Sequence, residues 1–76
     1  MNGNVYSGVV VKTNNVPAAE GSASTVQKSV IVHREEPFIG LSDESARATI
    51  LANAIVKSKV EVGDPTSLVE VRVQRF

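Results

Sequence analysis

The chain of 76 residues contains no cysteine and no tryptophan, and it has a single histidine. Without cysteine, the chain can form neither disulfide bonds nor thiolate metal sites. His33 alone cannot form a zinc site, because such a site needs several nitrogen or sulfur ligands. We therefore expect no cofactor and no metal, and a fold that depends on burial of apolar side chains.

An excess of charge of either sign is also lacking, since eight Lys and Arg residues balance eight Asp and Glu residues. This balance argues against a general polyanion binder, although it leaves room for a local basic face. No apolar run approaches the roughly 20 residues that a membrane-spanning helix needs. The N-terminus, MNGNVYSG, has no basic segment followed by an apolar one, so we expect no secretory signal and no membrane partner.

The length of the chain accommodates one domain, residues 1–76. A domain of this size buries only about 60% of the surface that its unfolded chain exposes, so a monomer would be marginally stable. Small domains that have no disulfide or metal commonly gain further burial by association. We therefore expect the chain to associate with itself.

Valine-rich segments predict three strands, at residues 4–13, 25–35 and 68–75. Residues 14–24, NNVPAAEGSAS, show no periodicity and predict a long exposed loop. The C-terminal segment LVEVRVQRF alternates between apolar and polar residues, which favours a strand. A competing interpretation begins a short second helix at Asp64 and Pro65. The predicted fold class is α+β, an antiparallel sheet with one amphipathic helix packed on it.

The helix has the clearest local signals. Ser42 is a good N-cap, and Asp43 and Glu44 place acidic groups in the first turn, where the helix dipole favours them. The helix is expected to end near residue 59 or 60. Its apolar residues recur at the helical period and comprise Ala46, Ile50, Leu51, Ala54 and Ile55. This stripe either covers the chain's own sheet or crosses onto a second subunit, and we predict that it forms a dimer interface.

Residues that carry reactive chemistry are few. To act as a general base, His33 would need a partner that orients it and a nucleophile within reach. The sequence identifies no residue for either role. We therefore predict that it faces solvent or a partner. Glu35 and Glu36 are adjacent in a strand and point to opposite faces, so they do not form a carboxylate pair. The glycines are too scattered for a phosphate-binding loop. We do not expect an enzyme.

Basic and hydroxyl side chains in the predicted strands suggest a second kind of chemistry. Lysine and arginine neutralise phosphates, while Ser, Thr and Gln hydrogen-bond bases or sugars. Strict alternation places Lys28 and Arg34 on one face of the second strand, and Ser29 and His33 on the other. A one-residue shift exchanges the two faces, so the pattern does not decide which face points inward. The candidates are Lys12, Thr13, Gln27, Lys28, Ser29, Arg34 and Arg72; an ordinary solvated sheet face is the alternative.

The order of these elements resembles a known family. Residues 25–59, TVQKSVIVHREEPFIGLSDESARATILANAIVKSK, are similar to the last long strand and first C-terminal helix of the coat proteins of single-stranded RNA bacteriophages, the levivirus type. The segment VYSGVVVKT resembles a preceding strand of the same sheet. The likeness covers residues 5–60 and points to an unusually short member, whose C-terminus reads as a strand where a second helix is often found.

The resemblance implies a structural role. Coat proteins of this type join their sheets side by side as homodimers, each helix packs across the partner's sheet, and the dimers build an icosahedral shell. The inner sheet face contacts single-stranded RNA, and the protein is found in the virion, with the host cytoplasm as the place of assembly. The RNA-contacting positions implied here are Lys12, Thr13, Lys28, Ser29 and Arg34. The alternative is a small phage or bacterial α+β module that binds or regulates another protein and has no catalytic activity.

Overall fold

A computed structural model describes residues 3–21 and 23–76. It contains strand β1 (Asn4–Pro17), strand β2 (Thr25–Gly40), helix α1 (Asp43–Lys57) and strand β3 (Ser67–Arg75). The three strands form one antiparallel sheet in the order β2-β1-β3. The helix packs on this sheet, which confirms the predicted α+β class.

The helix lies across all three strands on one side of the sheet, and we call the other side the open face. Side chains of β1 alternate between the two sides. Tyr6 and Val10 point to the helix and are 1% and 0% exposed, whereas Ser7 and Val9 point to the open face. The core therefore lies between α1 and the sheet, and the open face has no second layer among the described residues.

The helix begins as its sequence predicts. The Ser45 backbone N–H donates to the Ser42 hydroxyl at 3.1 Å, and the Ser42 backbone N–H donates to the Ser45 hydroxyl at 3.2 Å. This reciprocal pair satisfies two N–H groups that the first turn leaves without helical partners. Ala46, Ile50 and Ala54 then follow the helical period, and none of the three is exposed to solvent.

Glycine is required where Ile50 of the helix packs against β1. A Cβ atom on Gly8 would lie 2.9 Å from Cδ1 of Ile50 and would also meet the carbonyl oxygen of Arg72 in the neighbouring strand. The strand carbonyl cannot move aside without breaking the ladder. The missing side chain of Gly8 therefore lets Ile50 fill the centre of the core.

The hairpin of β1 and β2 is longer than predicted. β1 continues to Pro17, so the loop predicted for residues 14–24 shrinks to residues 18–24. At the other end of the hairpin, β2 continues beyond the predicted residue 35 to Gly40. The backbone N–H of Ala18 donates to the carbonyl of Ser24 at 2.9 Å and closes the hairpin. The polar residues 13–15 form part of β1 because their backbone groups pair with β2. This pairing cannot be predicted from the composition of the segment alone.

The C-terminal segment forms the predicted strand rather than the alternative helix. Asp64 does not begin a helix; its carboxylate accepts from the Thr66 backbone N–H at 2.8 Å and from the Thr66 hydroxyl at 2.7 Å. This Asx turn leads the chain directly into β3. The part of the chain that the structure describes holds no helix with the length and hydropathy needed to cross a membrane.

Candidate nucleic-acid interface

The open face is a continuous surface of polar and apolar side chains. Its members are set by the alternation of β1 and by the residues that pair with them in β2 and β3. They are Val5, Ser7, Val9, Val11, Thr13, Asn15 and Pro17 of β1, Thr25, Gln27, Ser29, Ile31, Arg34 and Ile39 of β2, and Leu68, Glu70, Arg72 and Gln74 of β3, followed by Phe76.

A bulge in β2 decides which of its charged residues reach the open face. Val10 pairs with His33 but Val11 pairs with Ile31, so Val32 is an extra residue in β2. An extra residue reverses the alternation beyond it. The strict alternation expected from the sequence, with Arg34 beside Lys28, is therefore wrong. Arg34 instead shares the open face with Ser29 and Ile31.

Two arginines flank the middle of this face. Val9 pairs with Arg34 on one side and with Arg72 on the other, and both arginines are exposed. Neighbouring strands are about 4.8 Å apart, which separates the two Cα atoms by about 10 Å. A pair of guanidinium groups at this spacing suits an extended polyanion, because each can neutralise one phosphate and stack on a base.

Hydrogen-bonding side chains continue the face toward the hairpin tip. The hydroxyls of Thr13 and Ser29 lie 2.8 Å apart and bond to each other. Asn15 and Gln27 form the next cross-strand pair, and both are exposed. These groups offer both donors and acceptors, which the edges of unpaired bases and the ribose hydroxyl require.

The five residues implied as RNA contacts do not share one face. Thr13, Ser29 and Arg34 lie on the open face, as the RNA-binding hypothesis needs. Lys12 and Lys28 lie on the opposite side, where Lys12 borders the depression formed by Val32 and Val60 at the end of α1. Only three of the five are therefore placed to contact the same RNA strand, and Arg72 is a fourth candidate on that face.

The apolar stripe of α1 divides into two parts. Ala46, Ile50 and Ala54 are completely buried against the chain's own sheet, which is the first of the two arrangements that the sequence allows. Leu51 is half-buried and Ile55 is 40% exposed. Of the five residues predicted for the dimer interface, only Leu51 and Ile55 retain surface that a partner could contact.

A cluster around His33 is the main feature that the sequence did not reveal. His33 is buried, so of its two predicted placements, facing solvent or facing a partner, the first is wrong. Its Nδ1 lies 2.6 Å from the hydroxyl of Ser58. Its Nε2 lies 3.1 Å from Oε1 of Glu35, which also accepts from the amide of Asn53 at 3.0 Å. Because a carboxylate only accepts, Nε2 of His33 is the donor in its bond to Glu35.

This cluster contains the residue types of a hydrolytic triad, but its surroundings oppose that chemistry. Ser58 caps the C-terminus of α1, where the helix dipole is negative and would repel an oxyanion. The backbone N–H groups of Ser58 and Val60 both donate to the carbonyl of Ala54, each at 3.1 Å, so neither is free to bind an oxyanion. We interpret the cluster of His33, Glu35, Asn53 and Ser58 as a clasp that ties the C-terminal part of α1 to β2.

The clasp makes the stability of the fold depend on pH in the acidic range. Burial of the Glu35 carboxyl raises its pKa, but the hydrogen bonds from His33 and Asn53 outweigh burial and hold the pKa below its ordinary value. A carboxyl with a lowered pKa in the folded state stabilises the fold above the pKa of the unfolded chain, about 4.3 for Glu. That stabilisation is lost as the pH falls below about 4.3 and through the lowered folded value.

We expect the Glu35→Gln variant to lose about 1–2 kcal/mol of stability at neutral pH, because a charge-assisted bond becomes a neutral one. Its stability should also fall less steeply than that of the wild type below about pH 4.3. Urea unfolding at pH 7 and at acidic pH measures both effects. The matched control is Glu36→Gln, which changes the neighbouring exposed carboxylate. Equal pH dependence in the Glu35→Gln variant and the wild type would contradict the clasp.

No group of three or more His, Asp or Glu residues suited to holding a metal occurs within residues 3–21 and 23–76.

No model of a known protein family, no curated protein and no solved structure matches the chain. The features of the molecule that bear on its function are the open face, the exposed apolar residues and the free edges of the sheet.

Proposed function

We propose that the chain is a structural coat protein that assembles as homodimers into an icosahedral shell around single-stranded RNA. In this proposal the open face is the inner surface of the shell and lies against the RNA. The observation that carries the proposal is that Arg34 and Arg72 flank Val9 on a sheet face that no other described element covers.

The chemistry of the open face supports RNA as the ligand. A strand of RNA offers phosphates to the arginines and unpaired base edges to the Thr13–Ser29 and Asn15–Gln27 pairs. Phe76, just after β3 and 66% exposed, is in phase with this face at its far end from the Thr13–Ser29 pair, so binding at that pair would depend on charge and hydrogen bonding more than on stacking. Such contacts are largely independent of sequence, as packaging of a long RNA requires.

The shape and surface of the subunit support self-assembly. The molecule measures 57 × 22 × 17 Å, and the hairpin projects beyond the part of β1 that pairs with β3. Val26, at 44% exposed, lies on this projection. Val30 pairs with Lys12 below it and is 55% exposed, and Leu41 and Val56 expose 77% and 67% of their surface elsewhere. Exposed apolar residues at several sites of an elongated subunit are suited to contacts with several neighbours.

The order of elements adds to this support. Two long antiparallel strands, followed at once by a Ser-capped helix on the sheet, are the arrangement implied by the resemblance of residues 25–59 to coat proteins of single-stranded RNA phages. The virion would be the site of the assembled protein, with host cytoplasm as the place of assembly.

Size-exclusion chromatography with light scattering, recorded at the absorbance maxima of protein and of nucleic acid, tests the proposal. We expect a peak in the megadalton range in which both absorbances coincide. A monomer or dimer that carries no nucleic acid at any concentration would contradict the coat proposal. It would instead support a small module that binds another protein.

A further inference from the structure

The two outer strands of the sheet differ in how open their free edges are. β2 carries two register irregularities against β1, between Tyr6 and Gly8 and between Val10 and Val11, and it contains Pro37. Bulges and proline are the features by which proteins discourage pairing at an edge. β3 has no proline, and it pairs with β1 over nine consecutive positions with no shift. The edge of β3 is therefore the more regular of the two over its whole length, and the better suited to accept a further strand.

The backbone groups at this edge can be assigned. Phe76 N–H donates to the carbonyl of Val5 at 2.9 Å, so residues 68, 70, 72, 74 and 76 direct their backbone groups toward β1. The backbone N–H and C=O groups of Val69, Val71 and Val73 then point outward, away from β1. The Val71 carbonyl accepts from Nη1 of Arg47 at 2.9 Å, a bond that a carbonyl pointing away from β1 can form. A carbonyl oxygen has a second lone pair, so Val71 can still accept from another strand.

Two copies of β3 have complementary charges when they are aligned antiparallel with Val71 at the centre. In that antiparallel register, outward-pointing Val71 faces the partner's Val71, and Val69 faces the partner's Val73. Glu70 then faces the partner's Arg72, and by symmetry this ion pair occurs twice. It falls at the non-hydrogen-bonded positions, where side chains approach most closely.

Neighbouring registers are unfavourable. Pairing must match outward-pointing residues with one another, so the nearest alternatives centre on residue 70 or residue 72. The first places Glu70 opposite the partner's Glu70, and the second places Arg72 opposite the partner's Arg72. Like charges directly opposite each other are destabilising. The charge pattern of β3 therefore selects the register centred on Val71.

Pairing through β3 also brings the two helices together. Each helix lies over its own sheet with β1 at the centre, and the two β1 strands would be three strand spacings apart, about 14 Å. A helix with side chains is about 10–12 Å across, so little space remains between the two. Leu51 and Val62, which line the groove beside β3, would fill that space from both chains.

From these observations we propose that two copies of the chain pair antiparallel through β3, about a two-fold axis at Val71, with Glu70 facing the partner's Arg72. This inference rests on the proposed function, because it names the interface of the homodimer from which the shell would be built. The two sheets then form one continuous sheet of six strands, with both helices on one side and one uninterrupted open face on the other.

A charge exchange tests the interface on the full chain freed of RNA by high salt and returned to moderate salt. Glu70→Arg and Arg72→Glu each place like charges opposite each other twice, and each should weaken the dimer about tenfold or more. The double variant restores both ion pairs in reversed order and should return to within about threefold of the wild type. Sedimentation equilibrium measures the dissociation constants. Glu70 and Arg72 are exposed, so these changes spare the core.

The control is Lys28→Glu, the same charge reversal at an exposed position of β2, which should leave the dimer unchanged. Single variants that dimerise as well as the wild type, or a double variant as weak as the singles, would overturn the interface. RNA-filled particles that form despite such a result would leave the coat proposal standing without this interface. A dimer that obeys the charge exchange but never forms particles would support the interface and overturn the coat proposal.

Discussion

The Ile50→Asp variant should not fold. Ile50 is completely buried at the point where α1 crosses Gly8 and Val10 of the central strand. A carboxylate there would be buried without a partner, which costs several kcal/mol, and the native packing would be lost in addition. A small domain of this kind has a total stability of only about 5 kcal/mol. The cost therefore exceeds the stability that the fold has to lose.

Truncation at the same site gives a measurable form of this prediction. Ile50→Ala should lower the free energy of unfolding by about 2–5 kcal/mol, since it leaves a cavity between helix and sheet. Val56→Ala is the matched control, because Val56 is on the same helix and 67% exposed, and its effect should be within about 0.5 kcal/mol. Urea unfolding followed by circular dichroism measures both. Equal losses in the two variants would contradict the assignment of Ile50 to the core.

Reversal of charge at Arg34 should weaken RNA binding strongly, whereas the same reversal at Lys28 should not. Arg34 lies on the open face beside Val9, but Lys28 pairs with Asn14 on the opposite side of the sheet. Losing one arginine–phosphate contact and adding a repulsive carboxylate should lower the affinity for single-stranded RNA about tenfold. The slope of log affinity against log salt should also become shallower by about 0.7 for each lost contact.

Lys28→Glu is a matched control because it changes the net charge by the same amount. Fluorescence anisotropy with a labelled oligonucleotide, titrated at several salt concentrations against RNA-free protein, measures both quantities. Arg72 is not used in this test, since its reversal would also disturb the proposed pairing of β3. Equal losses in the Arg34→Glu and Lys28→Glu variants would show that net charge, and not the open face, determines RNA binding.

The elements that the sequence predicted correctly are those with strong local signals. Ser42 and the two acidic residues after it mark the start of α1, and the alternation of valines from Leu68 onward marks β3. Each of these signals lies within a few residues and depends little on the rest of the fold. The fold class followed from them.

The features that the sequence did not reveal depend on pairing between distant segments. The bulge at Val32 is a matter of register with β1, and it alone moves Arg34 to the open face. The clasp joins His33 and Glu35 to Ser58 and Asn53, which are 18 or more residues away in sequence. The predicted face of a charged residue in a long strand is therefore reliable only up to the first bulge.

Protection of RNA from nuclease tests the central claim most directly. Protein purified without a nuclease step is treated with ribonuclease, the enzyme is inactivated, and the RNA that remains is extracted and sized by electrophoresis. A shell with RNA on its inner face should protect long RNA, and protection should disappear when the particles are dissociated before treatment. RNA that is fully digested in the intact sample, or the absence of co-purified RNA, would contradict the account.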